Sequence, residues 1–528
     1  MRGRKSYHLL LMEDIEVEVA AEDFANFRVG PQDHYRSDID EYEATGAAAA
    51  AIPSSVRRWL ATFYGALKDC DMREISACFE DRFTDIANSL YRSQRWPSSE
   101  VVGPYLDQHP AAIALYHELC YRHIYLRLTP TMDERIDSWN NYCQLFELVL
   151  DDEAPFPWDL PSDWAWNIID EFIWQFSRWS HHFNTEHSSG KTTSSSNSIS
   201  SPKIDTTNAA SGPWAAVSVL HYLERLASKV GEGNLSRSSL KYKLGYFARI
   251  GLCRVHVLLG DYHLALTALG SMELFERGLY TKVAGCYITL YYCVGFSYLM
   301  MRRYLDASRT FTAILSYISK TKQFNTRSQF YDHILKKNEQ LLGLLAICLA
   351  FCPVRLDDSI MASLRERYGD RTQRMLKGDV AAFEEVFVTC CPKFVSLPHM
   401  VVAGNDLMQV QLKLFKEDIR QQRLIPSARS FLKLYSTIDT PKLAAFLETG
   451  SVDALSHMLI CYKHKTFARC WTGGACSQGE LRSASDVDFY ICENMVHVQD
   501  TRPSLRYGEF FIRHIGRFEE IMAELNRS

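Results

Sequence analysis

Two short stretches carry residue types that do chemistry. Gly190-Lys191-Thr192 has the ending of a phosphate-binding loop, in which backbone N–H groups cradle phosphates and the lysine neutralises them. That loop requires a glycine five positions before Gly190, where Thr185 stands, and a strand and a helix where both flanks here are Ser-rich. His117 and Glu118 begin a zinc-hydrolase pattern. Two histidines on one helical face share an ion only at i, i+4 spacing, and the next histidine is His123, with Tyr121 in the required place. His117, Glu118 and His123 therefore read as partly buried polar groups of a helix. No G-x-S-x-G turn, Gly-rich dinucleotide loop or paired Cys/His cluster occurs. No catalytic, cofactor-binding or metal-binding residue is assigned, and the chain is not expected to be an enzyme.

A third group is suited to binding. Lys463, His464, Lys465 and Arg469 gather at the end of an expected helix, Val452 to His464. Such a helix enters the major groove in DNA-binding proteins, and Lys463, Lys465 and Arg469 are the candidate RNA contacts. The plainer reading is a solvated face with favourable cations at a helix C-terminus, and Glu448 and Asp453 nearby favour it. The tryptophans Trp158, Trp164, Trp166, Trp174 and Trp179 could form a stacking platform. Trp166, Ile169, Ile173 and Phe176 instead recur at helical spacing, which marks a core face.

The elements that hold these residues are mainly helical. The chain has 528 residues, room for three to four units at roughly 150 residues each. Its net charge of −5 argues against nucleic-acid binding driven by bulk charge. Residues 11–45 carry eleven acids against Arg28 and Arg36, so residues 1–54 read as an acidic, disordered arm. Helical periodicity fills 55–186, with helices expected at Leu115 to Leu128, Ser138 to Leu150 and Trp164 to Trp179. Residues 187–212 are Ser-, Thr- and Asn-rich and form a flexible insertion.

In residues 213–425, Gly295, Tyr298, Ala307 and Phe311 occupy positions 8, 11, 20 and 24 of a tetratricopeptide unit, with a weaker copy around Leu252 and Ala265. Stacked helix pairs, a TPR-like α-solenoid, follow from this. Residues 426–502 change to three short helices and a β-hairpin, the pattern of a winged helix. In that hairpin Val487, Phe489 and Ile491 are expected to face the core, and Asp486, Asp488 and Tyr490 to face out. Residues 503–528 form a C-terminal tail helix from Ser504 to Leu525. Its Phe511, Ile515, Phe518, Met522 and Leu525 fall on a heptad seam suited to other helices. Asp488, Tyr490 and these five apolar residues are the candidate partner contacts.

Fifteen cysteines without metal spacing read as reduced intracellular thiols. The longest apolar run, Leu341 to Val354, is too short to cross a bilayer, so no membrane partner is expected. A soluble cytoplasmic protein is the expectation.

Helical repeats followed by a winged helix and a tail helix describe the PCI module of large scaffolding assemblies. Several stretches resemble one PCI family more closely: "LYHELCYRHIY" (Leu115–Tyr125), "WNIIDEFIWQF" (Trp166–Phe176), "LGYFARIGLCRVHVLLGDY" (Leu244–Tyr262) and "YYCVGFSYLMMRRYLDA" (Tyr291–Ala307). Downstream come "LRERYGD" (Leu364–Asp370), "SFLKLY" (Ser430–Tyr435), "SASDVDFYI" (Ser483–Ile491) and "RYGEFFIRHI" (Arg506–Ile515). In order, over roughly residues 55–525, they resemble the subunit L family of eukaryotic translation initiation factor 3. The resemblance implies a non-catalytic scaffold that assembles with PCI and MPN subunits, closest to subunits K and E. It implies support of pre-initiation complex assembly on the small ribosomal subunit. The arm lacks the family's Tyr-rich character, so no role is carried over to it. Two other readings remain: an RNA-binding winged-helix protein, and a PCI subunit of the proteasome lid or signalosome.

Overall fold

The computed structural model describes residues 52–154, 156–188, 212–230, 239–325, 331–397, 400, 406–483, 485, 487–500, 511, 514–519, 521–523 and 525. The acidic arm up to residue 51, Gly190-Lys191-Thr192 and most of the Ser-rich insertion lie outside them. All described residues belong to one compact unit, Ile52–Ser528.

The N-terminal region begins with α1 (Ser54–Asp69), slightly earlier than expected, and Ile52 before it is already buried. Shorter helical pieces lead to α2 (Pro110–Arg127), α3 (Met132–Leu150) and α4 (Ser162–Ser188). Helix α3 starts where Thr131 and Glu134 cap one another reciprocally, which satisfies donors that a helix start leaves open. Trp158, Trp164 and Trp166 are buried, and Trp174 and Trp179 are half-buried. The expected core face is a core face: Trp166, Ile169, Ile173 and Phe176 are all buried, and Trp166 packs edge-on against Phe247 with ring centroids 5.7 Å apart.

The solenoid continues through α5 (Ala216–Lys229), α6 (Leu240–Leu259), α7 (Tyr262–Ala268), α8 (Ala284–Met300) and α9 (Tyr304–Asn325). It ends with α10 (Tyr331–Phe351), α11 (Asp358–Leu376), α12 (Val380–Cys390) and α13 (Leu407–Gln422). The repeat positions explain how α8 meets α9. A Cβ placed on Gly295 would lie 2.3 Å from the ring of Phe311, so the missing side chain is the seat of that ring. Between α6 and α7, Gly260 takes φ +81, and the Asp261 carboxylate accepts from Leu264 N at 3.1 Å. The apolar run of Leu341 to Val354 ends α10 inside this core, and among the described residues no helix is long and apolar enough to cross a membrane.

A PCI-like module with its own core follows. It comprises α14 (Ile425–Leu434), β1 (Thr437–Asp439), α15 (Thr440–Phe446) and α16 (Val452–Thr466). Then come β2 (Phe467–Cys470), β3 (Glu480–Ser483), β4 (Val487–Cys492) and β5 (Met495–Asp500). The main sheet is antiparallel with order β1–β5–β4, and β2 and β3 pair separately. Three helices and the β4–β5 hairpin match the sequence reading. Strand β1 and the whole β2–β3 hairpin do not appear in it. Helix α16 also stops before Arg469, which stands on β2 rather than on a helix.

Candidate protein-interaction surfaces

The hairpin alternates as its sequence implies, with one correction. Val487 and Phe489 are buried against Leu432, Leu459 and Tyr462, and Tyr490 points out, 60% exposed. Asp486 lies outside the described residues. Ile491 was expected inside and is 41% exposed. It sits opposite the buried Val496 on the inner face. The difference follows the strand order: Val496 stands on the central strand β5, and Ile491 on the edge strand β4. On the outer face Tyr490 stacks on its cross-strand partner His497, with ring centroids 4.9 Å apart. Exposed Cys492 and Met495 extend the patch to the tip. Strand β4 is an edge of the sheet, so one side of its backbone has no strand beside it among the described residues.

Asp488 faces outward, but Lys463 meets it at 3.1 Å. The Lys463 hydrogen bond holds this carboxyl below its usual range. The same ammonium lies 5.2 Å from the Phe489 ring centre, so it bridges α16 to the edge strand. Lys465 is engaged as well, at 2.7 Å from Asp418 of α13, with little of its side chain exposed. Of the three candidate RNA contacts, Arg469 alone is classed as exposed, and it stands on another element. The outer side of α16 presents Val452, Asp453, His457, Ile460 and His464, a mixed surface rather than a basic one.

In the C-terminal segment residues 514–519 and 521–523 are helical. Phe511, Ile515, Phe518, Met522 and Leu525 are between 57% and 65% exposed, and Ile521 joins them at 44%.

His117, Glu118 and His123 do not converge. Glu118 is fully buried, pairs with Arg122 and accepts Trp164 Nε1 at 3.1 Å; His123 packs edge-on against Trp96. Among the described residues no group of three or more potential ligands is brought together for a metal.

Sequence reasoning missed the loop between β2 and β3, Trp471–Gly479. It reaches into the solenoid, where Cys476 is completely buried. Arg303, at the start of α9, donates to the carbonyls of Cys476, Ser477 and Gln478 at 3.2, 3.4 and 3.0 Å. Tyr298 Oη donates to the Cys476 carbonyl at 2.9 Å. The Asp306 carboxylate, paired with Arg303, accepts Trp471 N at 3.0 Å. Burial pushes the Asp306 carboxyl up, and Arg303 pulls it back. The available signal was Gly473-Gly474 followed by Gly479, a turn inside a segment with no apolar period.

Comparison with known proteins places this architecture. A family model described as RNA polymerase I-associated factor PAF67 matches residues 134–518. A relative from Nematostella vectensis, named eukaryotic translation initiation factor 3 subunit L, is 38% identical over 519 residues, covering 93% of this chain and 97% of its own. The chain belongs to the subunit L family of eukaryotic translation initiation factor 3. Family members of the same name from Danio rerio and Homo sapiens are each 40% identical, over 85% of this chain and 81% and 82% of theirs. The subunit L relationship therefore spans the N-terminal region, the solenoid and the PCI-like module together.

Proposed function

We propose that this chain is a non-catalytic scaffold subunit of the cytoplasmic initiation factor 3 complex. It supports pre-initiation complex assembly on the small ribosomal subunit through PCI-type contacts with other PCI and MPN subunits, subunits K and E foremost. The observation that carries the reading is the exposure, more than half of each residue, of the apolar stripe Phe511, Ile515, Phe518, Met522 and Leu525. A row of large apolar side chains on a short terminal helix gains most by packing into a bundle with the tails of partner chains. The winged-helix edge at β4, with Tyr490 beside it, supplies a second contact. The family description that refers to RNA polymerase I covers less of the chain than the translation-factor relatives, and the proposal follows the latter.

The direct RNA reading is the weaker one, because Lys463 and Lys465 are held by Asp488 and Asp418. Co-expression with subunits K and E tests the proposal. The wild-type chain should co-purify with them at high salt. Phe511→Ala/Phe518→Ala should remain soluble and drop out of the complex. Salt-labile retention through RNA alone would favour the other reading.

A further inference from the structure

The solenoid and the C-terminal module have separate hydrophobic cores, yet Cys476, from the module's β2–β3 loop, sits in the solenoid core. We propose that the Trp471–Gly479 loop is a latch that fixes the module at one angle on the solenoid and so sets the direction in which the β4 edge and the terminal helix meet their partners. The second half of this statement rests on the scaffold reading; the first does not.

The chemistry of the seat is that of a lock. Arg303 and Asp306 are 2% and 3% exposed at their side chains, so the pair acts where water is excluded. One guanidinium reads three successive carbonyls of the loop, which requires the backbone to be held in a single path. Asp306 reads the other end of the loop at Trp471 N, and the Trp471 ring packs against Phe275 at 5.6 Å. At Gly479 an added Cβ would lie 2.8 Å from the Cys470 carbonyl, so the return of the chain needs glycine. Two further polar ties join the parts through α13 and α16, Lys465 to Asp418 at 2.7 Å and the weaker Cys461 Sγ to the Gln421 carbonyl at 3.6 Å, whereas the loop alone is gripped from the start of α9 through five hydrogen bonds to its backbone. Helix α14 follows α13 after Arg423 and Leu424, a short connection about which the module would turn without the latch.

The test uses the full chain. Residues 471–479 are replaced by Asn-Gly, a two-residue turn that suits the Cys470–Glu480 pairing and leaves Arg303 and Asp306 hydrated. Dyes are attached through unnatural amino acids at exposed positions 366 and 493, and single-molecule energy transfer is recorded on the free protein. The intact chain should give one narrow population. The latch-less chain should keep its helical circular dichroism and show a distribution at least twice as wide. A second variant, Arg303→Lys, keeps the charge and loses the fork. It should speed hydrogen exchange at the Trp471 amide on the order of tenfold. An unchanged distribution in the latch-less chain would overturn the proposal. So would loss of its helical signal, which would make the loop ordinary core. Neither outcome depends on assembly with partners, so failure here is distinguishable from failure of the scaffold reading.

Discussion

Phe489 and Tyr490 are neighbours with opposite surroundings, and substitutions should separate them. Phe489→Ala should cost about 3–5 kcal/mol in the module, because the ring fills the space between Tyr462 and β4. Phe489→Asp should unfold the module outright by burying an unpaired charge. Tyr490→Asp should leave melting within about 0.5 kcal/mol of wild type, as expected of an exposed site. Chemical denaturation read by module-specific hydrogen exchange checks all three. The Lys463–Asp488 pair is a smaller effect. The Lys463 and Asp488 side chains are 44% and 62% exposed, enough for solvent to screen the pair, so a double-mutant cycle should return no more than about 1 kcal/mol. Its pH dependence has a definite sign. The folded carboxyl titrates below its unfolded value, so the contribution is complete above about pH 4 and disappears as pH falls through the folded value. Asp488→Asn should flatten that acid limb and nothing else. At this scale the sequence told inside from outside along β4 as far as Tyr490. It failed at Ile491 because alternation states which face a residue is on, not whether its strand is central or at the edge of the sheet.

Among the elements, the helices were the most legible, since each buried stripe recurs at helical spacing and many starts carry a capping side chain such as Asp261, Asp379 or Ser451. The repeat positions were legible for the same reason, and they make a sharp prediction. Gly295→Ala should destabilise the solenoid by about 1–3 kcal/mol through overpacking against Phe311, measured by thermal melting. Strand β1 escaped notice because it is three residues long, and β2 and β3 because "FARC" and "ELRS" carry no apolar alternation. What holds the β2–β3 loop is distant in sequence: Arg303 and Asp306 lie more than 160 residues from their partners. The terminal helix is the converse case. Its seam was visible from spacing, and its side chains are exposed in the folded chain. Phe511→Ala/Phe518→Ala should therefore leave the melting of the free protein within about 0.5 kcal/mol. A loss of several kcal/mol or insoluble expression would show instead that the helix belongs to the chain's own core.

For the whole molecule, two cores joined by a polar seat imply two thermal events rather than one, with the module melting separately once the Trp471–Gly479 loop is released. The distribution of thiols adds a consequence of another kind. Burial pushes Cys120 and Cys391 up to about 12 and Cys293, Cys390 and Cys476 up to about 11, so these thiols stay protonated and shielded in the native state. Cys70 and Cys492 are the two cysteines classed as exposed. One lies at the end of α1, and the other at the tip of the β4–β5 hairpin on the edge strand β4. These two thiols therefore make the proposed docking of the hairpin measurable. A brief maleimide pulse should alkylate Cys70 and Cys492 together in the isolated protein. In a complex that covers the hairpin, Cys492 should become slow while Cys70 keeps its rate, and mass spectrometry of one digest would report both.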